Sequence, residues 1–138
     1  MLVLVTLLAG CTGERRAPAI PDLDVPTLEV DLEVVDTTIE PGRCFDHATE
    51  FGQECHVVRL RFSNPNDATV KTKLSWSAAD VSGAGVDFGD MQGPESVVAG
   101  GEQSLSVRFT TDEGAPHLSR IVFDGFPRAH GEADIPAY

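Results

Sequence analysis

The sequence predicts an all-β fold, an antiparallel β-sandwich of about six to seven strands. Apolar and polar residues alternate with a period of two in several short runs, which is typical of strands with one buried face. Gly, Pro, Asn and Asp separate these runs as turns, and no segment has a convincing helical period. Short strands with turns between them indicate a sandwich of the immunoglobulin or fibronectin type III class. At 138 residues the chain has the length of one domain with its own core.

The N-terminal residues predict a lipoprotein signal peptide. The run Met1–Gly10 is apolar and ends in small residues, as a signal peptide does, but it is shorter than the about 20 residues that span a bilayer. Leu8-Ala9-Gly10-Cys11 resembles the lipobox of bacterial lipoproteins. No Lys or Arg precedes the run, so residues 1–10 are interpreted as a signal that was shortened or that begins upstream. The alternative is an apolar N-terminus with a cysteine placed there by chance.

The lipobox resemblance implies a membrane anchor at Cys11. It implies cleavage before this residue, a diacylglycerol on its sulfur and a fatty acid such as palmitate on its amino group. More than one acyl chain anchors a protein stably, whereas a single chain is marginal. Thr12 follows the cysteine instead of Asp, which by analogy with sorting in enteric bacteria favours the outer membrane, facing the periplasm or the cell exterior. Residues 11–27 contain three prolines and no periodicity, which predicts a flexible tether.

The cysteine count predicts one disulfide. Lipidation uses Cys11, which leaves Cys44 and Cys55 as an even pair in an oxidising compartment. Closing the loop between them would stabilise the fold by roughly 3 kcal/mol in the chain-entropy model. The segment between the two cysteines has few β-branched residues, so it is predicted to be a loop or a short helical turn that protrudes from one end of the sheet.

The domain is predicted to extend from residue 28 to residue 138. Each predicted strand is an alternating run bounded by turn residues, such as Pro41-Gly42 after the first run and Gly100-Gly101 before the fifth. The first run has Leu and Val on one side and mostly Glu and Asp on the other, which predicts an acidic outer face. In chain order the strands are predicted at residues 28–39, 57–62, 70–76, 86–88, 103–111, 121–123 and 133–135.

The stretch from His56 to Trp76 shows the clearest pattern. Its two alternating runs flank Asn64-Pro65-Asn66-Asp67, which predicts a turn because proline fixes its own φ and Asn and Asp accept turn conformations. The stretch is therefore predicted to be an antiparallel hairpin or a corner. Trp76 continues the inward series of the second run, so it is interpreted as a core residue, in preference to a residue that faces a partner.

The charge of the chain argues against nucleic acid as a partner. Asp and Glu number 22 against 10 Lys and Arg, and the net charge of −12 repels phosphate backbones and anionic lipid alike. Lys71 and Lys73 share one face with Arg59 and Arg61 if the two runs are neighbouring strands, which would make a local basic stripe. The stripe is interpreted as charge that keeps a strand soluble and guards its edge. A docking face for an anionic partner is the alternative.

The sequence contains no catalytic constellation, so the protein is predicted not to be an enzyme and to use no cofactor. There is no G-x-S-x-G elbow, no H-E-x-x-H and no P-loop. One dense polar cluster offers nitrogen and oxygen ligands of the kind that bind Zn²⁺ or Cu²⁺. Its members are Asp46, His47, Glu50, Glu54 and His56. Their spacing matches no ligand motif, and acidic surface loops produce such clusters by chance, so no metal site is assigned.

The order of strands and turns resembles the WHy (water stress and hypersensitive response) domain of late-embryogenesis-abundant proteins and of some bacterial lipoproteins. The resemblance is carried by Val57–Asn66, which ends in Asn-Pro-Asn, by Ala99–Phe109, and by Phe123-Asp124-Gly125-Phe126 followed by Ile135-Pro136. It extends over residues 28–138. It implies a fibronectin-like sandwich with a role in desiccation or stress protection and without catalysis. The inserted loop between the cysteines and the Gly/Asp-rich middle depart from the family pattern.

Together these observations predict a non-enzymatic, lipid-anchored envelope protein with a stress-protective module. The alternative is an immunoglobulin-like adaptor or structural lipoprotein of an envelope assembly, such as a secretion or adhesion system. The expected partners are the membrane, through the lipid anchor, and an envelope protein.

Overall fold

The computed structural model describes residues 26–41, 43–44, 47–48, 52–73, 76–86, 88–125 and 128–138, with the backbone alone at residues 41, 43, 44, 47 and 48. The predicted signal peptide (1–10) and the predicted tether (11–27), except its last two residues, lie outside the described residues. The described segments form strands, turns and irregular connections. No helix among them is long and apolar enough to cross a membrane.

The described residues form thirteen strands, which confirms the predicted all-β class. In chain order the strands are β1 (Leu28–Glu29), β2 (Asp31–Pro41), β3 (Arg43–Cys44), β4 (His47–Ala48), β5 (Gln53–Ser63), β6 (Val70–Lys71), β7 (Trp76–Asp80), β8 (Gly85–Val86), β9 (Phe88–Gln92), β10 (Ser96–Val97), β11 (Glu102–Asp112), β12 (Leu118–Gly125) and β13 (Ala129–Asp134).

Two larger sheets form the predicted β-sandwich. One has four strands in the order β2-β5-β11-β9, and the other has five in the order β1-β13-β12-β7-β8. The pairs within these sheets are antiparallel except β1 with β13. Strands β2, β5, β11 and β9 take the places of A, B, E and D of an immunoglobulin-like sandwich, and β7, β12 and β13 take those of C, F and G. Two short ladders, β3–β4 and β6–β10, complete the described pairings.

The core lies between the inner faces of the two sheets. Phe62 of β5, Trp76 of β7 and Phe123 of β12 meet there, with ring centroids 5.1 Å apart for the two phenylalanines and 4.8 Å apart for Trp76 and Phe123. The indole of Trp76 is buried and donates a hydrogen bond to the carbonyl of Thr72 at 2.7 Å, which confirms its core position. The other inward residues of β5 and β11 in this core are Val58, Leu60, Leu105, Val107 and Phe109.

The first predicted strand is divided between the two sheets. β1 pairs in parallel with β13, and the N–H of Val30 donates to the carbonyl of His130 at 2.9 Å before the chain crosses to β2 beside β5. A bulge after Val34 then leaves Val35 unpaired and 61% exposed. The prediction of one strand over residues 28–39 was wrong because alternation continues across the crossing and does not specify the sheet.

The stretch around the Asn-Pro-Asn turn is a corner between the sheets. β5 pairs with β2 and β11, whereas β7 belongs to the five-stranded sheet and the intervening β6 pairs with β10. Lys71 therefore lies on a strand that does not pair with the strand of Arg59 and Arg61. The predicted basic stripe is wrong for this reason.

The later strands largely follow the predictions. β11 and β12 contain the runs predicted at 103–111 and 121–123. The run predicted at 86–88 is divided between β8 and β9 in different sheets, and residue 87 lies outside the described residues. The run predicted at 133–135 overlaps the last two residues of the longer β13, which lies between β1 and β12 and is not an edge strand.

The side chain of Asn64 holds the corner together. It is buried, and its Nδ2 donates to the carbonyls of Ala68 at 2.8 Å and Val97 at 3.0 Å, with a longer contact to Val98 at 3.2 Å. Its Oδ1 accepts from the backbone N–H of Asn66 at 3.1 Å. Both ends of the amide are thus hydrogen-bonded, as a buried amide requires.

The backbone of Asn64 joins the same connection from the other side. Its N–H donates to the carbonyl of Gly101 at 2.9 Å, and its carbonyl accepts from the N–H of Gly100 at 2.8 Å. Gly100 has a φ of 72°, which favours glycine. One residue therefore fixes the β5–β6 corner to the turn that leads into β11.

We expect Asn64→Ala to lower the free energy of unfolding by about 3 kcal/mol, because it leaves buried carbonyls without their donor. Urea denaturation followed by Trp76 fluorescence measures the loss. Asp67→Ala is the matched control, since Asp67 is exposed in the same turn and should change stability by less than about 0.5 kcal/mol. Equal stabilities for the two variants would contradict the assignment of Asn64.

The crossing from β1 to β2 gives a second test, at Gly131 of β13. A Cβ on this glycine would lie 2.7 Å from Cγ2 and 2.9 Å from the carbonyl oxygen of Val30. We expect Gly131→Ala to destabilise the fold by about 1–3 kcal/mol through this overlap. Gly85→Ala is the control, because nothing lies within 4 Å of its Cβ position. The crossing would not be tightly packed if both variants unfold at the same urea concentration.

Candidate functional site

The predicted covalent sites are described only in part. Cys11 lies outside the described residues, so its lipidation stays a prediction. Cys55 is fully buried on β5 and is disulfide-bonded. The backbone of β3, which contains Cys44, lies beside β5. The side chain of Cys44 is not among those described, so its pairing with Cys55 stays a prediction.

The predicted acid–histidine cluster is also described in part. Asp46 and Glu50 lie outside the described residues, and His47 is described through its backbone alone. Glu54 and His56 both lie on β5. Within the part of the chain that the structure describes, no group of three His, Cys, Asp or Glu side chains is placed to hold a metal ion. The expected absence of a metal site stays a prediction.

The structure brings His56 together with residues from two distant segments. Its ring is fully buried at one end of the core, and Nδ1 lies 2.6 Å from the hydroxyl of Tyr138. Nε2 lies 3.5 Å from Oε1 of Glu54. The ring of His117 stacks on Tyr138, with centroids 4.5 Å apart and an interplanar angle of 15°. We call these four residues the His56 cluster.

Burial controls the ionisation of the His56 cluster. It lowers the pKa of the His56 imidazole, while the Glu54 carboxylate opposes this shift and His117 adds to it. Burial also raises the pKa of the Tyr138 phenol, although the hydrogen bond from the backbone N–H of Leu118, at 2.8 Å, acts in the opposite sense. A neutral His56 and a neutral Tyr138 are therefore the favoured forms near neutral pH.

Sequence reasoning found Glu54 and His56 but missed the other two members of the cluster. His117 lies in the connection before β12, and Tyr138 is 82 residues from His56. The signal that could have found them is the alternation of β5, which would place His56 inward if it were extended from Val58. A buried histidine requires a hydrogen-bonding partner from elsewhere in the chain.

A second histidine, His130, lies on the outer side of the five-stranded sheet with the opposite electrostatic environment. Its Nδ1 lies 2.7 Å from Oδ1 of Asp124, and its Nε2 lies 3.4 Å from Oε2 of Glu132. The hydrogen bond with Asp124 raises the pKa of His130 more than partial burial lowers it. Arg120 pairs with Glu132 beside it. This arrangement favours the charged form of the imidazole.

The outer face of the four-stranded sheet shows how the cations of the chain are used. Arg59 pairs with Asp36 at 3.1 Å. Arg61 contacts Glu33 on β2 and Glu102 on β11, both at 2.9 Å. Each arginine thus pairs with a carboxylate on a neighbouring strand. A docking face for an anionic partner would need these positive charges to be unpaired.

Two further cations also face carboxylates. Lys73 lies 3.3 Å from Glu95. Arg108 on β11 lies 3.6 Å from Glu40 on β2. A docking face for an anionic partner therefore receives no support at Arg59, Arg61 or Lys73.

A shallow cleft of about 250 Å³ lies near the end of the sandwich that holds the His56 cluster. Asp80 lines the cleft, but its Oδ1 already accepts three hydrogen bonds. The donors are the N–H of Ser82 at 2.8 Å, the hydroxyl of Ser82 at 2.5 Å and the N–H of Ala84 at 3.1 Å. These bonds, led by the Ser82 hydroxyl, lower the pKa of Asp80. The Asp80 carboxylate is therefore occupied by hydrogen bonds within the turn that follows β7.

Comparisons with known proteins add little to this description. Neither the family models nor the curated proteins give a match to the chain. Among solved structures, an ApaG protein from Pseudomonas aeruginosa is similar at 10% identity and a TM-score of 0.40, over 64% of this chain and 85% of that one. That likeness carries no inference about function. The fold itself is an antiparallel β-sandwich of the immunoglobulin or fibronectin type III class.

Proposed function

We propose that this chain is a non-enzymatic, lipid-anchored protein of the bacterial outer membrane, whose β-sandwich is a stress-protective module of the WHy kind. Three features of the sequence support the proposal: the lipobox ending at Cys11, the tether over residues 11–27 and the family resemblance over residues 28–138. The acidic surface of the sandwich suits a protective role in the periplasm or at the cell exterior.

The observation that carries the proposal is the use of charge on the described surface. Arg59, Arg61 and Lys73 each form an ion pair with a carboxylate. Asp31 and Glu113 are exposed and form no ion pair with another described residue. The domain therefore presents surplus carboxylates to solvent, consistent with its net charge of −12.

Surplus carboxylates give a physical basis for protection. They are strongly hydrated, and a net charge far from zero keeps proteins soluble and apart. As water is removed, such a surface would separate neighbouring proteins that otherwise aggregate. The sandwich contributes a rigid support for those charges.

The His56 cluster supports a role without catalysis. Nδ1 of His56 is occupied by the Tyr138 hydroxyl, and the imidazole has no exposed surface. A general base must reach a proton of its substrate. These partners are internal, so the cluster fits a structural role.

The protective role predicts a charge-dependent effect on a drying-sensitive reporter enzyme. We expect the protein to reduce aggregation of the reporter on drying, and Asp31→Asn/Asp67→Asn/Glu113→Gln to reduce that protection at least about twofold, because three hydrated charges are lost. Light scattering after rehydration measures the aggregate.

The matched control keeps the charges and changes the side-chain lengths, as Asp31→Glu/Asp67→Glu/Glu113→Asp. Both triple variants should have thermal midpoints near that of the parent, because the three sites are exposed. Equal protection by both variants would contradict the role of the acidic surface. No protection by the parent would contradict the proposed function.

The anchor predicts a separate result. We expect the parent to partition into the outer-membrane fraction and to incorporate labelled palmitate, whereas Cys11→Ser should lose the label and leave the membrane, because its hydroxyl does not replace the thioether sulfur. Cys55→Ser, which changes a different cysteine, should keep the label. A labelled Cys11→Ser protein would refute the lipobox assignment.

The alternative function is an adaptor within an envelope assembly. The sheet edges favour it, since β9 exposes Gly89, Asp90 and Gln92 at the edge of the four-stranded sheet. Exposed edge strands are one route by which proteins add a partner strand. A stoichiometric partner recovered from membranes, together with no effect on drying, would favour the adaptor over the protective module.

A further inference from the structure

The C-terminal segment (residues 136–138) folds back over one end of the sandwich. It follows Ile135, which is buried and whose N–H donates to the carbonyl of Ser119 at 2.8 Å. Pro136 and Ala137 are exposed, and Tyr138 is half-buried. Of residues 136–138, Tyr138 therefore makes the contacts with the end of the sandwich.

The hydrogen bonds of Tyr138 assign the proton on His56. The backbone N–H of Leu118 can only donate, so the phenol oxygen accepts that bond at 2.8 Å. The phenol proton is then available for Nδ1 of His56 at 2.6 Å. The neutral imidazole carries its own proton on Nε2, which faces Oε1 of Glu54 at 3.5 Å. Nε2 forms no hydrogen bond in the described structure, so its contact with Glu54 is electrostatic.

A second proton on the imidazole disrupts this arrangement. Nδ1 then becomes a donor, and the phenol must turn its own proton away from His56. Glu54 would stabilise the added charge, but His117 lies on the same side with a ring centroid 5.9 Å away. The cross-strand neighbours of His56 are Ile39 on β2 and Phe109 on β11, and neither can compensate a charge.

We propose that the C-terminal segment is an acid-sensitive latch, which neutral His56 holds closed through Tyr138 and protonated His56 releases. The proposal is independent of the protective function. Release would uncover His56 and His117 at the end of the sandwich while the two sheets remain paired. The latch would thus change one surface of an envelope domain when its surroundings become acidic.

The direction of the pH effect follows from linkage. Burial lowers the pKa of His56 in the closed state, whereas an exposed imidazole keeps a value of about 6.5. The open state therefore binds the proton more tightly. The closed state is fully favoured above about pH 6.5 and loses stability as the pH falls towards the lowered value. Within that window the opening constant rises about tenfold per pH unit.

Single probes make the latch measurable in the full chain. Tyr138 is the one tyrosine of the sequence, and Trp76 is the one tryptophan. With ¹³C-labelled tyrosine, we expect the ring signal to move to the position of an exposed tyrosine between pH 7.5 and pH 5. Exchange of the Leu118 amide should accelerate at least about tenfold after correction for intrinsic pH dependence. Trp76 fluorescence should stay constant, because the core remains folded.

Two variants separate the hydrogen bond from the charge. His56→Asn offers an amide oxygen to the phenol and cannot titrate, so its tyrosine signal should not move between pH 7.5 and pH 5. Tyr138→Phe removes the hydroxyl, so its Leu118 amide should exchange rapidly at every pH in the range. His130→Asn is the matched control, and it should leave the titration of Tyr138 unchanged. Tyr138→Phe tests the latch even where His56→Asn does not fold.

Several results would overturn the latch. A tyrosine signal that does not move in the parent would do so. A titration that persists in His56→Asn and disappears in His117→Asn would assign the release to His117 instead. A Trp76 signal that changes with the same midpoint as Tyr138 would show global unfolding in place of local release.

Discussion

The geometry of the sandwich depends on the buried amide of Asn64. A chain that leaves one sheet and enters the other must turn through the core boundary, where backbone carbonyls lose water without gaining ladder partners. The amide satisfies the carbonyls of Ala68 and Val97 at once. Without it, β5 and β7 could still form as strands, but the corner that sets them in opposite sheets would have unsatisfied groups in its interior.

This role also explains the Asn-Pro-Asn turn. Asn66 donates through its own side chain to the carbonyl of Glu29 at 2.9 Å, so the turn reaches the crossing between β1 and β2 as well. Two of the places where the chain changes sheets are thus joined by a hydrogen bond. The side chains of Asn64 and Asn66 therefore stabilise the fold through internal hydrogen bonds.

The sequence specified the inward faces of the strands but not their partners. Alternation is a local property, and it placed Phe62 and Trp76 correctly in the core. It could not show that residues 28–39 divide between two sheets, because a crossing that preserves the phase leaves no mark on the pattern. The turn signals were equally compatible with a hairpin and a corner, and the choice depended on distant carbonyls.

Only two of the four residues of the His56 cluster, Glu54 and His56, were named from the sequence, and the reason is related. The alternation of β5, if extended from Val58, would point His56 inward, but a buried imidazole does not reveal which residue will contact it. Tyr138 contacts it through tertiary packing, from the far end of the sequence. Sequence proximity instead drew attention to Asp46 and Glu50, which share a loop with the cysteines.

His56 and His130 give the domain two titrations of opposite sign. The hydrogen bond to Asp124 raises the pKa of His130, so its contribution to stability is complete below about pH 6.5 and is lost as the pH rises through the raised value. His56 contributes in the opposite sense. Together the two contributions are largest near pH 6.5 and decrease on either side of it, that of His130 on the alkaline side and that of His56 on the acidic side.

The division of the first strand also has a mechanical consequence. Two backbone hydrogen bonds hold β1 beside β13. The N–H of Leu28 donates to the carbonyl of Arg128 at 2.7 Å, and the N–H of Val30 donates to the carbonyl of His130. The chain then continues as β2 along β5. If the domain is tethered through its N-terminus as proposed, a pull along the strands loads these hydrogen bonds together in shear. The end of the domain nearest the anchor would then resist peeling by a force that would open a single edge strand bond by bond.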